Sequence, residues 1–317
     1  MPMNRFFNTR RIAVETGTRQ SAARTPAPPR YELDVIRCPN CSGILGPDLA
    51  CRSCGTAFHE ELGVLELLPS ALDTVKLQED SVFADGSADR RKFAGRPWRM
   101  IVGRKEITRF DQEILDQLPP GRFLEIGGEL CWAACMVKSV RPDSVAYGTD
   151  VSPNALRHGA VPAAQMFPHA PDYLIAVDAE CLPFADGTFD AVFASTMIHH
   201  LPHPSRMFDE VDRILKPGGR LIAVDAAIPR HFRWVFSGIA AERSGEFGMQ
   251  EDLIPWTRWE QILKGSRVPV SALSAYTKPD YQYSPLFMLA GRLIDRLPQR
   301  LARALFPVGV LITYTKP

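Results

Sequence analysis

Apolar and polar residues alternate in blocks through the middle of the chain, and the apolar blocks have the length of buried strands. Helix-length amphipathic segments separate them, and one, Phe208–Leu215, stops at Lys216-Pro217-Gly218-Gly219, where proline and glycine end a helix. The alternation of strand and helix predicts an α/β fold with a doubly wound parallel sheet. The predicted strands are Phe123–Ile126, Val145–Thr149, Tyr173–Val177, Ala191–Ser195 and Arg220–Asp225.

Periodicity predicts further elements on both sides of this region. A helix is predicted over residues 104–118, which carry apolar residues close to helical spacing. Pro255–Leu263 is predicted as another helix, and Val268–Leu273 and Val308–Tyr314 are predicted as strands.

Two later segments each allow two interpretations. Arg230–Phe236 mixes aromatic and basic residues, which fits either an aromatic lid over a small molecule or a face packed on the core. Leu286–Leu305 places arginines at helical spacing among apolar residues. That pattern is typical of a helix in peripheral contact with an anionic membrane, or of a helix that packs on its own sheet with a solvated charged face.

The first predicted strand runs into an acidic residue and paired glycines, Glu125-Ile126-Gly127-Gly128, and a predicted helix follows. Glycines let a backbone approach a ligand closely, and a helix N-terminus presents unpaired N–H groups. Asp150 ends the next strand, where a carboxylate is placed to hold a ribose. The pattern predicts a nucleotide site.

Length and charge limit the class of protein. The chain has 317 residues, 45% of them hydrophobic, and a formal net charge of +1, which fits one large soluble domain and a smaller module. No apolar run approaches the roughly 20 residues that span a bilayer, and we expect a cytoplasmic protein without a transmembrane segment. Residues 1–30 carry six arginines and one acid, Glu15, and are predicted to be a disordered tail, with a transit peptide as the alternative.

Four cysteines in two pairs follow the tail, namely Cys38, Cys41, Cys51 and Cys54. Two C-x2-C pairs separated by nine residues predict a tetrahedral structural zinc site, and two disulfides are the alternative. We assign residues 31–69 to a zinc ribbon and 70–103 to a linker. The ribbon has two basic residues against six acids, which disfavours RNA as its partner.

Several motifs downstream resemble the class I S-adenosylmethionine-dependent methyltransferases. Besides the acidic glycine turn and Asp150, they are Asp178-Ala179-Glu180-Cys181-Leu182-Pro183-Phe184, Asp186-Gly187-Thr188-Phe189-Asp190, His199-His200-Leu201 and Ile214–Leu221. The resemblance spans about 104–227 and implies a Rossmann-like domain over 104–317. A zinc ribbon ahead of such a domain is also similar to large-subunit ribosomal RNA guanine methyltransferases and to small zinc-ribbon activators of other methyltransferases.

The resemblance also implies roles for individual residues. Glu125, Gly127 and Gly128 would face the methionine end of S-adenosylmethionine, with Ser195 and Thr196 lining the same side. Asp150 would hold the ribose hydroxyls, and Asp178 with Ala179 the adenine. The second and third glycine positions of the family's motif are Glu129 and Cys131 here. Because this departure affects cofactor binding, a catalytically inactive protein of the same fold is an alternative.

Three residues form the predicted catalytic group. His199 and His200 follow the fourth predicted strand and Asp225 ends the fifth, so a parallel sheet brings them to one edge. A neutral imidazole oriented by a carboxylate can take an acceptor proton near pH 7. The predicted reaction is methyl transfer to an oxygen or nitrogen of a small-molecule or lipid-like acceptor. An rRNA or tRNA base is the alternative acceptor.

Overall fold

The core of the protein is a nine-stranded sheet, in the order β1-β2-β5-β4-β3-β6-β7-β9-β8. The structure, a computed structural model, describes residues 31–72, 76, 80, 116–227, 254–276, 293–294, 296–305 and 308–317. The predicted tail at 1–30, nearly all of the predicted helix at 104–118 and the aromatic segment Arg230–Phe236 lie outside these residues.

The five predicted central strands are all present and parallel to one another. Their side chains alternate between two buried clusters, so that Phe123 faces one side of the sheet while Leu124 and Ile126 face the other. A sheet buried on both faces explains why these strands are apolar throughout. They are β3 Arg122–Ile126, β4 Val145–Asp150, β5 Tyr173–Val177, β6 Phe189–Ser195 and β7 Leu215–Ala227.

Three helices connect these strands, α1 Trp132–Val140, α2 Pro153–Met166 and α3 Pro204–Ile214. Helix α3 buries Met207, Phe208, Val211 and Ile214, whose three- and four-residue spacing forms one apolar face. Its first residue is a proline, which is favourable at that position because the missing N–H needs no partner there.

The far edge of the sheet is antiparallel, so the sheet as a whole is mixed. β9, Val308–Thr315, lies between β7 and β8, Leu273–Tyr276, and is antiparallel to both. The strand predicted at Val268–Leu273 begins later, because Val270–Ala272 forms a 3-10 turn. The helix predicted at Pro255–Leu263 is α4, Trp256–Lys264, and a short α5, Gln299–Leu305, precedes β9.

The opposite edge of the sheet comes from the predicted ribbon. β1, His59–Glu61, and β2, Val64–Leu67, form a hairpin whose two turn residues, Leu62 and Gly63, both have positive φ, as a type I′ turn requires. β2 then pairs in parallel with β5, with Leu65 opposite Ile175. Its apolar residues are fully buried. The ribbon therefore shares one sheet with the rest of the chain.

Backbone contacts also join the ribbon to the loop after β5. The Arg37 amide donates to the Pro183 carbonyl over 2.9 Å, and the Ala185 amide donates to the Val35 carbonyl over 2.8 Å. These bonds hold the two segments edge to edge, as a short antiparallel bridge between Ile36 and Phe184.

Three acidic residues of the ribbon form ion pairs with arginines elsewhere in the chain. Glu32 forms an ion pair with Arg122 at 3.0 Å, and Arg157 on α2 pairs with both Glu61 and Glu66. Half of the six acids counted above, Glu32, Glu61 and Glu66, therefore bind arginines that lie outside the ribbon. The boundary between ribbon, linker and domain stays a prediction.

The described part of the basic segment Leu286–Leu305 includes α5. Ala302 is buried, and Arg303 lies over the Trp256 ring at 5.0 Å and 3.7 Å from a Glu260 oxygen, so one face of α5 packs on α4. Leu301 and Leu305 are exposed. Among the described helices, none has both the length and the apolar character needed to cross a membrane.

The shared sheet predicts how a ribbon mutation propagates. Leu65→Ala removes a fully buried side chain of β2 and should cost about 2–5 kcal/mol. All five tryptophans lie outside residues 31–69, so tryptophan fluorescence during urea unfolding reports on the rest of the chain. We expect its midpoint to fall, whereas Leu62→Ala, at a side chain 83% exposed, should leave the midpoint unchanged. An unchanged midpoint for Leu65→Ala would indicate that the ribbon folds separately.

Candidate active site

The glycine turn after β3 keeps a left-handed backbone at the positions where this chain lacks glycine. Gly127 has φ 63°, and both Glu129 and Cys131 have φ 50°. A non-glycine residue in this conformation costs about 1–2 kcal/mol. The turn is closed by the Gly128 amide, which donates to the Thr149 carbonyl over 2.8 Å. Glu129 and Cys131 therefore adopt the backbone conformation that glycine would adopt, and this conformation is strained for both residues.

The Cys131 side chain is buried between the turn and β4. A Cβ added at Gly148 of β4 would lie 2.5 Å from the Cys131 Sγ, so only glycine at 148 leaves room for this thiol. The loss of glycine at one position is thus matched by a glycine on the neighbouring strand. Sequence inspection gave no signal for this pairing, because it depends on the register between β3 and β4.

Glu125 ends β3 inside the protein. Its carboxylate accepts hydrogen bonds from the amides of Ala133, at 3.3 Å, and Ala134, at 2.7 Å, in the first turn of α1. Burial raises the pKa of Glu125 to about 8, assisted by the charge of Asp150 and opposed by the two helix amides. The structure thus places Glu125 beneath the glycine turn, where it supports α1. Its contact with the methionine end of a cofactor stays a prediction.

Asp150 and Asp178 end the two neighbouring strands β4 and β5. Asp150 accepts from the Glu129 amide through Oδ2, at 2.8 Å, and from the Ser152 amide through Oδ1, at 3.0 Å. Asp178 accepts from the Glu180 amide at 2.9 Å, and Ala179 beside it is buried. The two carboxylates are therefore held by backbone amides at one edge of the sheet.

Two residues that sequence inspection did not identify contact these loops. Lys76 forms a buried ion pair with Asp178, and Asp80 binds Ser152 and Asn154 after β4. Both lie in the stretch predicted as a polar linker, where mixed charge gives no indication of burial. Their partners are 102 and 72 residues away along the chain.

The turn after β6 meets the glycine turn. Ser195 ends β6, and Thr196 has φ 54° while its amide donates to the Val224 carbonyl over 2.8 Å. A Cβ at Gly127 would lie 2.5 Å from the Cγ of Met197. Ser195 and Thr196 are therefore next to a residue that packs on the predicted cofactor turn.

His199 and Asp225 form a hydrogen-bonded pair. His199 Nδ1 lies 2.8 Å from Asp225 Oδ1, and the amides of Ile198 and His199 donate to Oδ2 at 3.1 and 3.3 Å. Asp225 is only 1% exposed. An ionised carboxylate only accepts, so Nδ1 donates and the lone pair of the neutral ring is on Nε2. The His200 ring lies 4.0 Å from the His199 ring, centroid to centroid.

A cavity of about 380 Å³ opens beside His199. One wall comes from His199, Leu201 and Pro204, and the other comes from Ile254, Arg258 and Ile262 at helix α4. The Trp259 indole of α4 donates to the Ala226 carbonyl over 3.1 Å, which fixes this wall next to Asp225. The pair thus lies at the border of a partly apolar, partly polar chamber.

The four ribbon cysteines converge as the spacing predicts. Their sulfur atoms lie within 4.8 Å of one another, with 3.6 Å between Cys38 and Cys54 and 3.5 Å between Cys41 and Cys51. Zinc bonded to four sulfurs at about 2.3 Å would separate them by about 3.8 Å, so the donors fit a tetrahedral ion. All four are free thiols at distances well beyond a disulfide bond, which disfavours the disulfide alternative.

Comparison with known proteins identifies the segment that carries this geometry. A family model described as a methyltransferase domain matches residues 124–223. This segment of the chain is therefore similar to a methyltransferase domain. The predicted α/β Rossmann-like fold is confirmed. The match also supports the predicted enzyme class, an S-adenosylmethionine-dependent methyltransferase.

Two curated relatives match parts of the chain. Demethylmenaquinone methyltransferase of Listeria monocytogenes serotype 4a is 31% identical over 107 residues, which are 34% of this chain and 45% of the relative. Sterol 4-C-methyltransferase strm-1 of Caenorhabditis elegans is 32% identical over 78 residues, or 25% of this chain and 23% of the relative. The chain therefore spans less than half the length of the curated relatives it matches.

Among solved structures, geranyl diphosphate C-methyltransferase from Streptomyces coelicolor A3(2) superposes with a TM-score of 0.45 at 16% sequence identity. The superposition covers 65% of this chain and 74% of that chain. That structure contains Mg²⁺, geranyl-S-thiolodiphosphate and S-adenosyl-L-homocysteine.

The buried Glu125 predicts a pH dependence of stability. With its folded pKa raised to about 8, the folded chain holds a proton that the unfolded chain releases near pH 4.5. The free energy of unfolding should therefore fall as pH rises from about 4.5 to about 8, by up to several kcal/mol. Urea unfolding at pH 5, 6.5 and 8 should show a smaller fall for Glu125→Gln. If the free energy of unfolding falls equally with pH in the unmutated chain and in Glu125→Gln, the pKa of Glu125 is not raised.

Proposed function

We propose that the protein transfers a methyl group from S-adenosylmethionine to an oxygen or nitrogen of a small-molecule or lipid-like acceptor. The observation that carries the proposal is the His199–Asp225 pair at the border of a cavity, on the edge of the sheet where the glycine turn lies. In parallel α/β sheets ligands bind at this carboxyl edge. The methyltransferase domain at 124–223 supports the same reaction class.

The residues proposed for the cofactor surround that edge. Asp150 would hold the ribose, Asp178 and Ala179 the adenine, and Gly127, Gly128, Ser195 and Thr196 the methionine end, with Glu125 near it. Bound S-adenosylmethionine supplies an electrophilic methyl group. The described carboxylates fit this group, because the ends of β4 and β5 present Asp150 and Asp178 side by side with amide donors already fixing them.

His199 is the proposed general base. Its Nε2 would take the acceptor proton as the new bond to the methyl group forms, and Asp225 would stabilise the resulting imidazolium. Such proton transfer contributes roughly 10²–10⁴ in rate, while positioning of the reactants supplies most of the rest. His200 lies against His199 and would shield the ring from solvent.

A small or lipid-like acceptor fits the chamber and the named substrates of the relatives. The cavity is lined by leucine, isoleucine and proline side chains together with four polar ones, His199, Thr257, Arg258 and Gln261, so it offers both apolar contacts and hydrogen-bonding groups. The two relatives are named for demethylmenaquinone and for a sterol. The RNA alternative lacks a comparable observation among the described residues, since the ribbon has more acids than bases.

Two further parts of the proposal concern the ribbon and the altered glycine turn. We propose that Cys38, Cys41, Cys51 and Cys54 hold a structural zinc ion, which fits a reducing compartment such as the cytoplasm. We also propose that the turn binds cofactor despite Glu129 and Cys131, because both keep the left-handed backbone of glycine.

The reaction is tested with the full chain and methyl-tritiated S-adenosylmethionine. We expect label on a hydroxyl oxygen of a sterol or of reduced demethylmenaquinone, supplied in detergent micelles, and none in purified rRNA or tRNA. Label on a carbon atom of either probe would contradict the proposed transfer to oxygen or nitrogen. Calorimetry with S-adenosylhomocysteine tests the inactive alternative. Binding without label in any lipid probe would leave an inactive or RNA-modifying protein as the better interpretation.

The proposed base predicts a kinetic signature. His199→Ala should lower turnover by roughly 10² or more at saturating cofactor, because it removes the imidazole nitrogen that is proposed to take the acceptor proton. The affinity for S-adenosylhomocysteine should stay within a few-fold, and the loss of rate at low pH should disappear. His200→Ala is the matched control and should change turnover only a few-fold. Equal effects of the two variants would exclude His199 as the base.

The zinc site predicts linked loss of metal and stability. Metal analysis should return a single zinc ion per chain, and Cys38→Ser or Cys54→Ser should lose it, because metal binding supplies folding energy to such ribbons. The sheet should also become less stable, since β2 belongs to it. Cys181→Ser is the control, because Cys181 contacts the Pro39 carbonyl at 3.5 Å without joining the cluster. Zinc retained by both ribbon variants would refute the four-cysteine site.

A further inference from the structure

A buried ion cluster lies at the end of β5. The Lys76 Nζ is 2.8 Å from both oxygens of Asp178 and 3.1 Å from Glu180 Oε2. The three side chains are only 7%, 9% and 6% exposed. One cation faces two anions here, in surroundings where desolvation of charges is costly. A cluster of this kind adds little net stability, but it fixes the orientation of each group that takes part.

A second contact of this kind lies four residues further along the chain. Asp80, four residues after Lys76, accepts from Ser152 Oγ at 2.7 Å and from the Asn154 amide at 3.2 Å. Residues four apart in a helix lie on one face, one turn from each other. The amide of Ser152 in turn donates to Asp150. Lys76 and Asp80 therefore fasten the loop after β5 and the loop after β4, respectively.

The cluster leaves one acceptor position on Asp178. Asp178 Oδ1 accepts from Lys76 and from the Glu180 amide. Among the residues that the structure describes, Oδ2 accepts only from Lys76, and a carboxylate oxygen has a second lone pair. Without the lysine, two neighbouring buried carboxylates would repel each other, and Asp178 would turn or take up a proton. Lys76 thus keeps a charged, oriented acceptor at this position.

We propose that Lys76 and Asp80 are positioning residues for the nucleoside of the cofactor. Lys76 orients Asp178 so that Oδ2 accepts from the exocyclic amino group of adenine, which makes Lys76 a determinant of base specificity. Asp80 holds the Ser152 loop and, through it, the Asp150 carboxylate for the ribose. This inference rests on the proposed function, because it assumes that the cofactor binds at this edge.

The test compares two ligands that differ only at the base, S-adenosylhomocysteine and S-inosylhomocysteine, in which a carbonyl replaces the amino group. The unmutated chain should prefer the adenosyl ligand. Lys76→Met should weaken binding of the adenosyl ligand at least tenfold, change binding of the inosyl ligand much less, and so reduce the preference. Lys138→Met is the matched control, because Lys138 pairs with Asp172 at 2.9 Å on another part of the sheet, and it should keep both affinities.

Two further variants separate positioning from folding. Lys76→Met/Glu180→Gln has the net charge of the original cluster, so it should recover the melting temperature while the reduced preference remains. Asp80→Ala should weaken both ligands by the same factor, because the ribose is common to them. A purely structural role for Lys76 would change the melting temperature and leave the ratio of the two affinities intact.

The outcomes are distinguishable from failure of the proposed function. An unchanged ratio in Lys76→Met, or tighter binding of the adenosyl ligand, would overturn this inference while the cofactor site remains. Failure of the unmutated, folded chain to bind either ligand would overturn the proposed function, and this inference with it.

Discussion

Buried carboxylates at one edge of the sheet must be supplied with donors, and the rest of the site follows from that requirement. Glu125, Asp150, Asp178 and Asp225 lie within two residues of the carboxyl ends of four of the five parallel strands, and each is nearly excluded from water. An unpaired buried carboxylate is costly. Helix α1, the glycine turn, Lys76 and His199 each supply the donors for one of them. The groups that stabilise the acids are thus the groups that shape the cavity edge.

Much of the architecture could be predicted from local sequence. The bounds of β5 agree with the prediction, and the four cysteines and the His199–Asp225 pair converge as expected. These features have local signals, such as an apolar run, a fixed cysteine spacing, or a strand end in a parallel sheet. Each of these patterns can be recognised in a short stretch of sequence, without knowing which other segment of the chain packs against it.

Other features depend on partners that are distant along the chain. β2 resembles the last strand of an independent ribbon, and only its pairing with β5 shows that it belongs to the central sheet. Lys76 looks like an ordinary polar residue until Asp178, 102 residues later, is placed beside it. The tolerance of Cys131 likewise depends on Gly148 of the next strand. Each case is decided by register, which composition does not encode.

The position of β2 affects how the chain folds during synthesis. The four cysteines leave the ribosome by residue 54 and β2 by residue 67, but the strand that covers the β2 edge ends at residue 177. The β1–β2 hairpin therefore has an open apolar edge while about 110 further residues are made, and exposed edges of this kind template wrong pairings. At the elongation rates of cells, about 5–20 residues per second, this interval lasts on the order of 5–20 seconds. Nascent chains of this protein should accordingly depend on chaperones that shield β-edges early in translation.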